Sequence, residues 1–127
     1  MKANELRIGN TLKYYKSDDT FNVTVHDIGI IHTFEGKENC PEPIPLTEEW
    51  LVKFGFWKEQ TTTGEIFGIY VKGRIDIEEV TSKGDEWELC VSGGVRTGAK
   101  LKYVHQLQNL YFALTGEELT INERRAQ

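Results

Sequence analysis

The sequence predicts an α+β fold: an N-terminal three-stranded β lobe, a short helix, and an antiparallel β meander with a C-terminal helix packed on it. Three features predict it. Apolar residues alternate through the first 40 positions, "CPEPIPL" places three prolines within five residues, and turn signals recur every eight to twelve residues beyond position 56. A chain of 127 residues is long enough to fold as a single compact domain over 1–127. Its expected parts are a β lobe at 1–40, a Pro-rich connector at 41–46 and an α+β lobe at 47–127.

In "LRIGNTLKYY", Leu6, Ile8, Leu12 and Tyr14 alternate around a kink at Gly9-Asn10. "KSDDT" reads as a turn, and "FNVTVHDI" alternates Phe21, Val23 and Val25 against Asn22, Thr24 and His26. After Gly29, "IIHTF" reads as the third strand and "EGKEN" as another turn, giving short strands of a small-barrel or open-sheet kind. The prolines of the connector withhold backbone donors and favour extended chain. Thr47 followed by Glu48 and Glu49 is a helix start, because a hydroxyl accepts from orphan amides and acids face the positive helix end. That helix, "EEWLVKF", is expected to bury Trp50, Leu51 and Phe54 before Gly55 stops it. Four strands follow in "FWKEQ", "EIFGIYV", "IDIEEV" and "EWELCV", with turns at "TTTG", "KGR" and "SKGD". "SGGVRTGAK" reads as a flexible surface loop and "INERRAQ" as a frayed tail.

Fifteen basic and 20 acidic side chains leave a net charge of −5, which argues against a general nucleic-acid binder. The acidity is concentrated at 61–92, where three basic and seven acidic residues give −4, an ordinary solubilising patch. The apolar runs are too short to span a bilayer. "MKANELRIGN" has no apolar signal region, so the expected location is cytoplasmic and the expected state of Cys40 and Cys90 is reduced.

No chemical motif stands out. Gly93-x-x-x-x-Gly98 approaches a P-loop, but Ala99, Lys100 and Leu101 occupy the places that require Lys and then Ser or Thr. His26, His32 and His105 lack metal-ligand spacing among themselves or with the cysteines, so no metal, cofactor or disulfide is expected. No Ser or Cys lies in a nucleophile motif. Adjacent acids such as Glu78-Glu79 and Glu117-Glu118 point apart. The expectation is therefore a protein that is not an enzyme.

The C-terminal stretch "KYVHQLQNLYFALTG" is different: it has helical periodicity but no charged residue from Tyr103 to Thr115. Stepping about 100° per residue gathers Tyr103, Val104, Leu107, Leu110, Tyr111 and Leu114 into a core stripe. His105, Gln108 and Phe112 fall on the opposite face. Uncharged amides lose less on desolvation than Lys or Glu, so such a face suits coverage by another surface, either the N-terminal lobe or a second protomer. His105, Gln108 and Phe112 are thus the candidate partner-binding residues. Tyr14, Tyr15, Phe21 and Phe34 beside Lys13 and Lys16 are the alternative, a stacking platform for single-stranded nucleic acid.

The segments "MKANELRIGN", "EPIPLTEEWLVKFGF" and "KYVHQLQNLYFALTGEEL" resemble a family of small uncharacterised proteins encoded by phages and integrative elements of gut anaerobic bacteria. The resemblance implies a mobile-element context and carries over no catalytic residue. The expected function is that of a non-catalytic accessory protein that binds a protein partner or itself. The alternative is a nucleic-acid-associated module acting through the N-terminal lobe, disfavoured by the negative charge.

Overall fold

A computed structural model describes residues 1–59, 69–73, 75–80, 86–91 and 95–121. The fold is α+β, with a two-stranded and a five-stranded antiparallel sheet. Its residues form two compact units, Met1–Pro45 with Tyr103–Glu117, and Leu46–Lys102 with Glu118–Gln127. The C-terminal helix therefore groups with the N-terminal residues, which differs from the expected division at 40 and 46.

In the first unit a 310 turn at Ala3–Glu5 precedes a hairpin of β1 (Thr11–Lys13) and β2 (Thr20–Asn22), with Leu12 opposite Phe21. The expected third strand is absent. The helix α1 (Val25–Phe34) occupies its place, so the lobe has two strands rather than three. The Thr24 hydroxyl accepts from the Asp27 amide while the Asp27 carboxylate accepts from the Thr24 amide at 2.8 Å. This reciprocal cap satisfies two orphan donors and starts a helix where the apolar alternation alone suggests extended chain. From α1, Ile31 enters the core formed by Ala3, Leu12 and Val23, with Ile28 packed against it.

The proline segment supplies further extended chain beside β1. Between its prolines, Glu42 exchanges backbone hydrogen bonds with Lys13 at 2.9 and 3.0 Å, and the Ile44 carbonyl accepts from Val104 at 2.8 Å. Prolines at alternate positions leave Glu42 and Ile44 to do the bonding.

In the second unit α2 (Glu48–Lys53) is capped by Thr47, whose hydroxyl accepts from the Trp50 amide at 3.4 Å. Leu51 and Phe54 are fully buried, but Trp50 is only half-buried, with the Lys53 ammonium 4.7 Å from its ring centre. One helical turn between the prolines and Gly55 directs two of its three large side chains inward and leaves Trp50 at the edge. Gly55 ends the helix at φ +92°, a left-handed conformation that glycine adopts without strain.

The sheet runs in the order β3 (Trp57–Glu59), β4 (Ile69–Lys72), β5 (Ile75–Glu79), β6 (Trp87–Val91) and β7 (Val95–Leu101). Register places Tyr70 opposite Ile77, Ile77 opposite Leu89, and Trp87 opposite Leu101. These five buried side chains are the sheet's core face. Among the described residues the meander therefore has five strands, not four, because most of the segment read as a glycine-rich loop is β7. A register shift between Glu88 and Cys90 accommodates Gly98 at φ +83°, and the Gly98 amide donates to the buried Glu88 carboxylate at 3.0 Å. A bulge built around a glycine gives that stretch the composition of a loop. The expected turns at "TTTG" and "SKGD", the strand residues 65–68, Gly93-Gly94 and the tail at 122–127 lie outside the described residues.

Candidate interaction surface on the C-terminal helix

The helix α3 (Val104–Thr115) starts where the Gln106 side chain returns to accept from the Tyr103 amide at 3.1 Å. It ends at Gly116, whose left-handed φ of +75° lets its amide reach the Phe112 carbonyl at 2.8 Å. Val104, Leu107 and Tyr111 are buried as the core stripe requires. Leu110 is half-buried, and Leu114, the next-to-last residue of the helix, is exposed.

The opposite face is not open to a partner over its first two turns. His105 has 0% and Gln108 3% of their surface exposed. Of the two covers that an uncharged face can have, the chain's own N-terminal residues supply this one. Gln108 clamps Thr11 twice: its Oε1 accepts from the Thr11 amide at 2.8 Å, and its Nε2 donates to the Thr11 hydroxyl at 3.0 Å. That hydroxyl donates onward to Asn22 at 3.2 Å.

One residue further, Asn109 Oδ1 accepts from Asn10 Nδ2 at 2.8 Å and from Arg7 Nη1 at 3.1 Å, while Asn109 Nδ2 donates to the Glu5 carbonyl at 2.8 Å. Asn10 is fully buried with every polar group engaged. Its Oδ1 accepts from the Arg7 amide at 2.7 Å, and its carbonyl accepts from Val23 at 2.7 Å. Buried amides paired this completely specify one docking register, since any slip would strand several donors together. His105 and Gln108 therefore belong to the interior of this unit.

His105 is held less well. Its Nε2 lies 3.4 Å from Glu5 Oε1, a long contact, and its ring stacks at 5.9 Å and 9° on Tyr103. Nδ1 is buried without a hydrogen-bond partner among the described residues. Burial pushes the ring's pKa below its ordinary 6.5, against the pull of the Glu5 carboxylate. Glu5 in turn is held below its ordinary range, chiefly by the Lys2 amide, which donates to its carboxylate at 2.8 Å.

Phe112 is the exception on this face. It is 40% exposed, and the Arg7 guanidinium lies 4.2 Å from its ring centre. With Ala113, Leu114 and Thr115 it forms an exposed, uncharged final turn. The structure thus separates the three candidate residues: two lie inside and one lies outside. Residues that the sequence does not offer as binding candidates, Arg7, Asn10, Thr11 and Asn109, complete the arrangement across separations of 97 to 102 positions. The uncharged helix face was the one signal pointing to them.

In the N-terminal hairpin, Tyr14 stacks on Phe21 at 4.6 Å and Lys16 lies 5.3 Å from the Tyr15 ring. Tyr14 is 52% exposed. Lys13, however, lies 4.0 Å from Glu42, and Asp18 and Asp19 stand exposed in the same turn. Elsewhere, the Cys90 thiol donates to Glu78 at 3.4 Å from a buried position on β6. Among the described residues no three His, Cys, Asp or Glu side chains are grouped to hold a metal ion, and no helix is long and apolar enough to cross a membrane. No family model, curated protein or solved structure matches the chain.

Proposed function

We propose that the protein is a non-catalytic accessory protein of a phage or mobile element, and that it binds a protein partner or a second copy of itself through the last turn of α3. The observation that carries this reading is Phe112, a large ring left 40% exposed on an uncharged turn with Arg7 stacked on it. An aromatic side chain and an arginine, set beside groups with no charge to desolvate, are the residue types that dominate binding energy at protein interfaces.

Phe112→Ala is the fitting test, since aspartate at this position would meet the Arg7 guanidinium and form a new ion pair. The variant is expected to retain its circular dichroism spectrum and lose about 1 kcal/mol of stability or less, as surface truncations do. Capture of a host partner, or self-association by sedimentation, is expected to fall roughly tenfold or more, as at an interface anchor. An unfolded variant, or one that associates as the wild type does, contradicts the reading.

The alternative, a nucleic-acid-associated module, draws on the exposed Tyr14 stacked on Phe21. The neighbouring Asp18, Asp19 and Glu42 weigh against it, since bases and phosphates would approach together. Salt-sensitive binding of single-stranded DNA, abolished by Tyr14→Ala, would favour it over the protein-partner reading.

A further inference from the structure

We propose that His105 is an acid-triggered release for the clasp between the 310 turn Ala3–Glu5 and the first turn of α3. The geometry suits the neutral ring better than the charged one. A neutral imidazole has one N–H, which Nε2 can direct at Glu5 Oε1 across 3.4 Å, leaving Nδ1 as a bare acceptor. Protonation would place a second N–H on Nδ1, which is buried and has no acceptor among the described residues. An unmet donor on a buried cation costs far more than an unmet lone pair. His105 is also the second residue of α3, where the positive end of the helix dipole further disfavours an imidazolium.

The charged groups acting on the ring are few. From the 310 turn, the Glu5 carboxylate favours the charged form; the amino group at Met1 disfavours it; and burial, the largest influence, disfavours it. Around the ring, further bonds between α3 and the N-terminal segment run through the side chains of Asn109, Asn10 and Gln108, which do not titrate. Arg7 also bonds Asn109. At the contact with α3 the titrating pair is therefore His105 and Glu5, while the Glu35 carboxylate accepts from the Ala3 amide at the other end of the 310 turn.

The sign follows from linkage. The packed state resists a proton that the open state accepts near pH 6.5, so the clasp is at full strength above that pH and weakens as pH falls below it. Glu5, lowered from 4.5, contributes above that value and loses its contribution only below it, so the interval from pH 6.5 to 5 belongs to His105. Opening would bring His105, Gln108 and Asn109 to the surface, whether or not the last turn of α3 carries a partner.

Heteronuclear NMR of the wild type between pH 8 and 5 tests this, following the His105 ring and the amide exchange of Glu5, Leu6 and Thr11. After correction for intrinsic rates, the opening of these amides is expected to rise up to about tenfold between pH 7.5 and 5.5, the ceiling for one group whose open form titrates near 6.5. His105→Gln, folded at pH 7.5, is expected to flatten the rise. The proposal is overturned if protection stays constant to pH 5, if His105 titrates without loss of protection, or if folded His105→Gln opens with acid as the wild type does. Should that variant fail to fold, the wild-type titration and exchange decide the matter alone.

Discussion

Trp87→Ala is expected to destabilise the second unit by about 3–5 kcal/mol, the range for truncating a large buried aromatic. Trp87 is 1% exposed, packs edge-on against Tyr70 at 5.5 Å and 75°, and faces Leu101 across the sheet. Its indole N–H also donates to the Leu46 carbonyl at 2.9 Å, in a buried bond that ties the end of the proline segment to β6. Truncation removes the ring, leaves a cavity beside Ile77 and Leu89, and strands that carbonyl. Trp87→Phe separates these contributions, because it retains most of the apolar volume and loses only the donor and the second ring. Urea unfolding of both variants checks the expectation. A loss below about 1 kcal/mol for the alanine variant would mean that Trp87 is not a core side chain.

Gln108→Met is expected to cost about 2–3 kcal/mol, although methionine matches glutamine in length and is the more apolar. The reason is the Thr11 amide, which is buried and donates to Gln108 Oε1 at 2.8 Å. A thioether is a weak acceptor, so the N–H would be left desolvated and almost unpaired. The Thr11 hydroxyl fares better, since it still donates to Asn22 at 3.2 Å. If Gln108 instead faced solvent or another protein, the same substitution would change stability by no more than about 0.5 kcal/mol.

The parts of the fold legible in the sequence are those whose signal is local. Thr47, Glu48 and Glu49 mark α2, the 3.6-residue period marks α3, and alternation bounded by turns marks β4, β5 and β6. Where two local signals compete, the reading fails. "FNVTVHDI" contains both an alternating strand and a Thr24–Asp27 capping box, and the box wins because Ile28 and Ile31 can reach the Leu12 core from a helix. β7 hides behind the glycine that its bulge requires.

The candidate surface divides in the same way. That α3 needs a cover is plain from its missing charges, whereas the cover itself lies about 100 positions away, in a polar segment whose Arg7, Asn10 and Thr11 have no periodicity to advertise them. Of the three candidate residues on α3, Phe112 alone is left accessible by the fold. His105 and Gln108 satisfied the same helical arithmetic, but a wheel reports which side chains share a face and not whether the chain itself returns to cover it.

Over its first two turns the uncharged face of α3 is internal, closed by the chain's own N-terminal residues, and the Thr11 amide reports on this most directly. Its hydrogen bond goes to the Gln108 side chain rather than to backbone, so its exchange follows that docking. In the wild type at pH 7.5 the Thr11 amide is predicted to exchange at least about a hundredfold slower than an unprotected amide, as buried bonded amides do, and to lose that protection in Gln108→Met while the amides of α3 keep theirs. Exchange of Thr11 at the unprotected rate in a wild-type protein whose α3 is intact would contradict it.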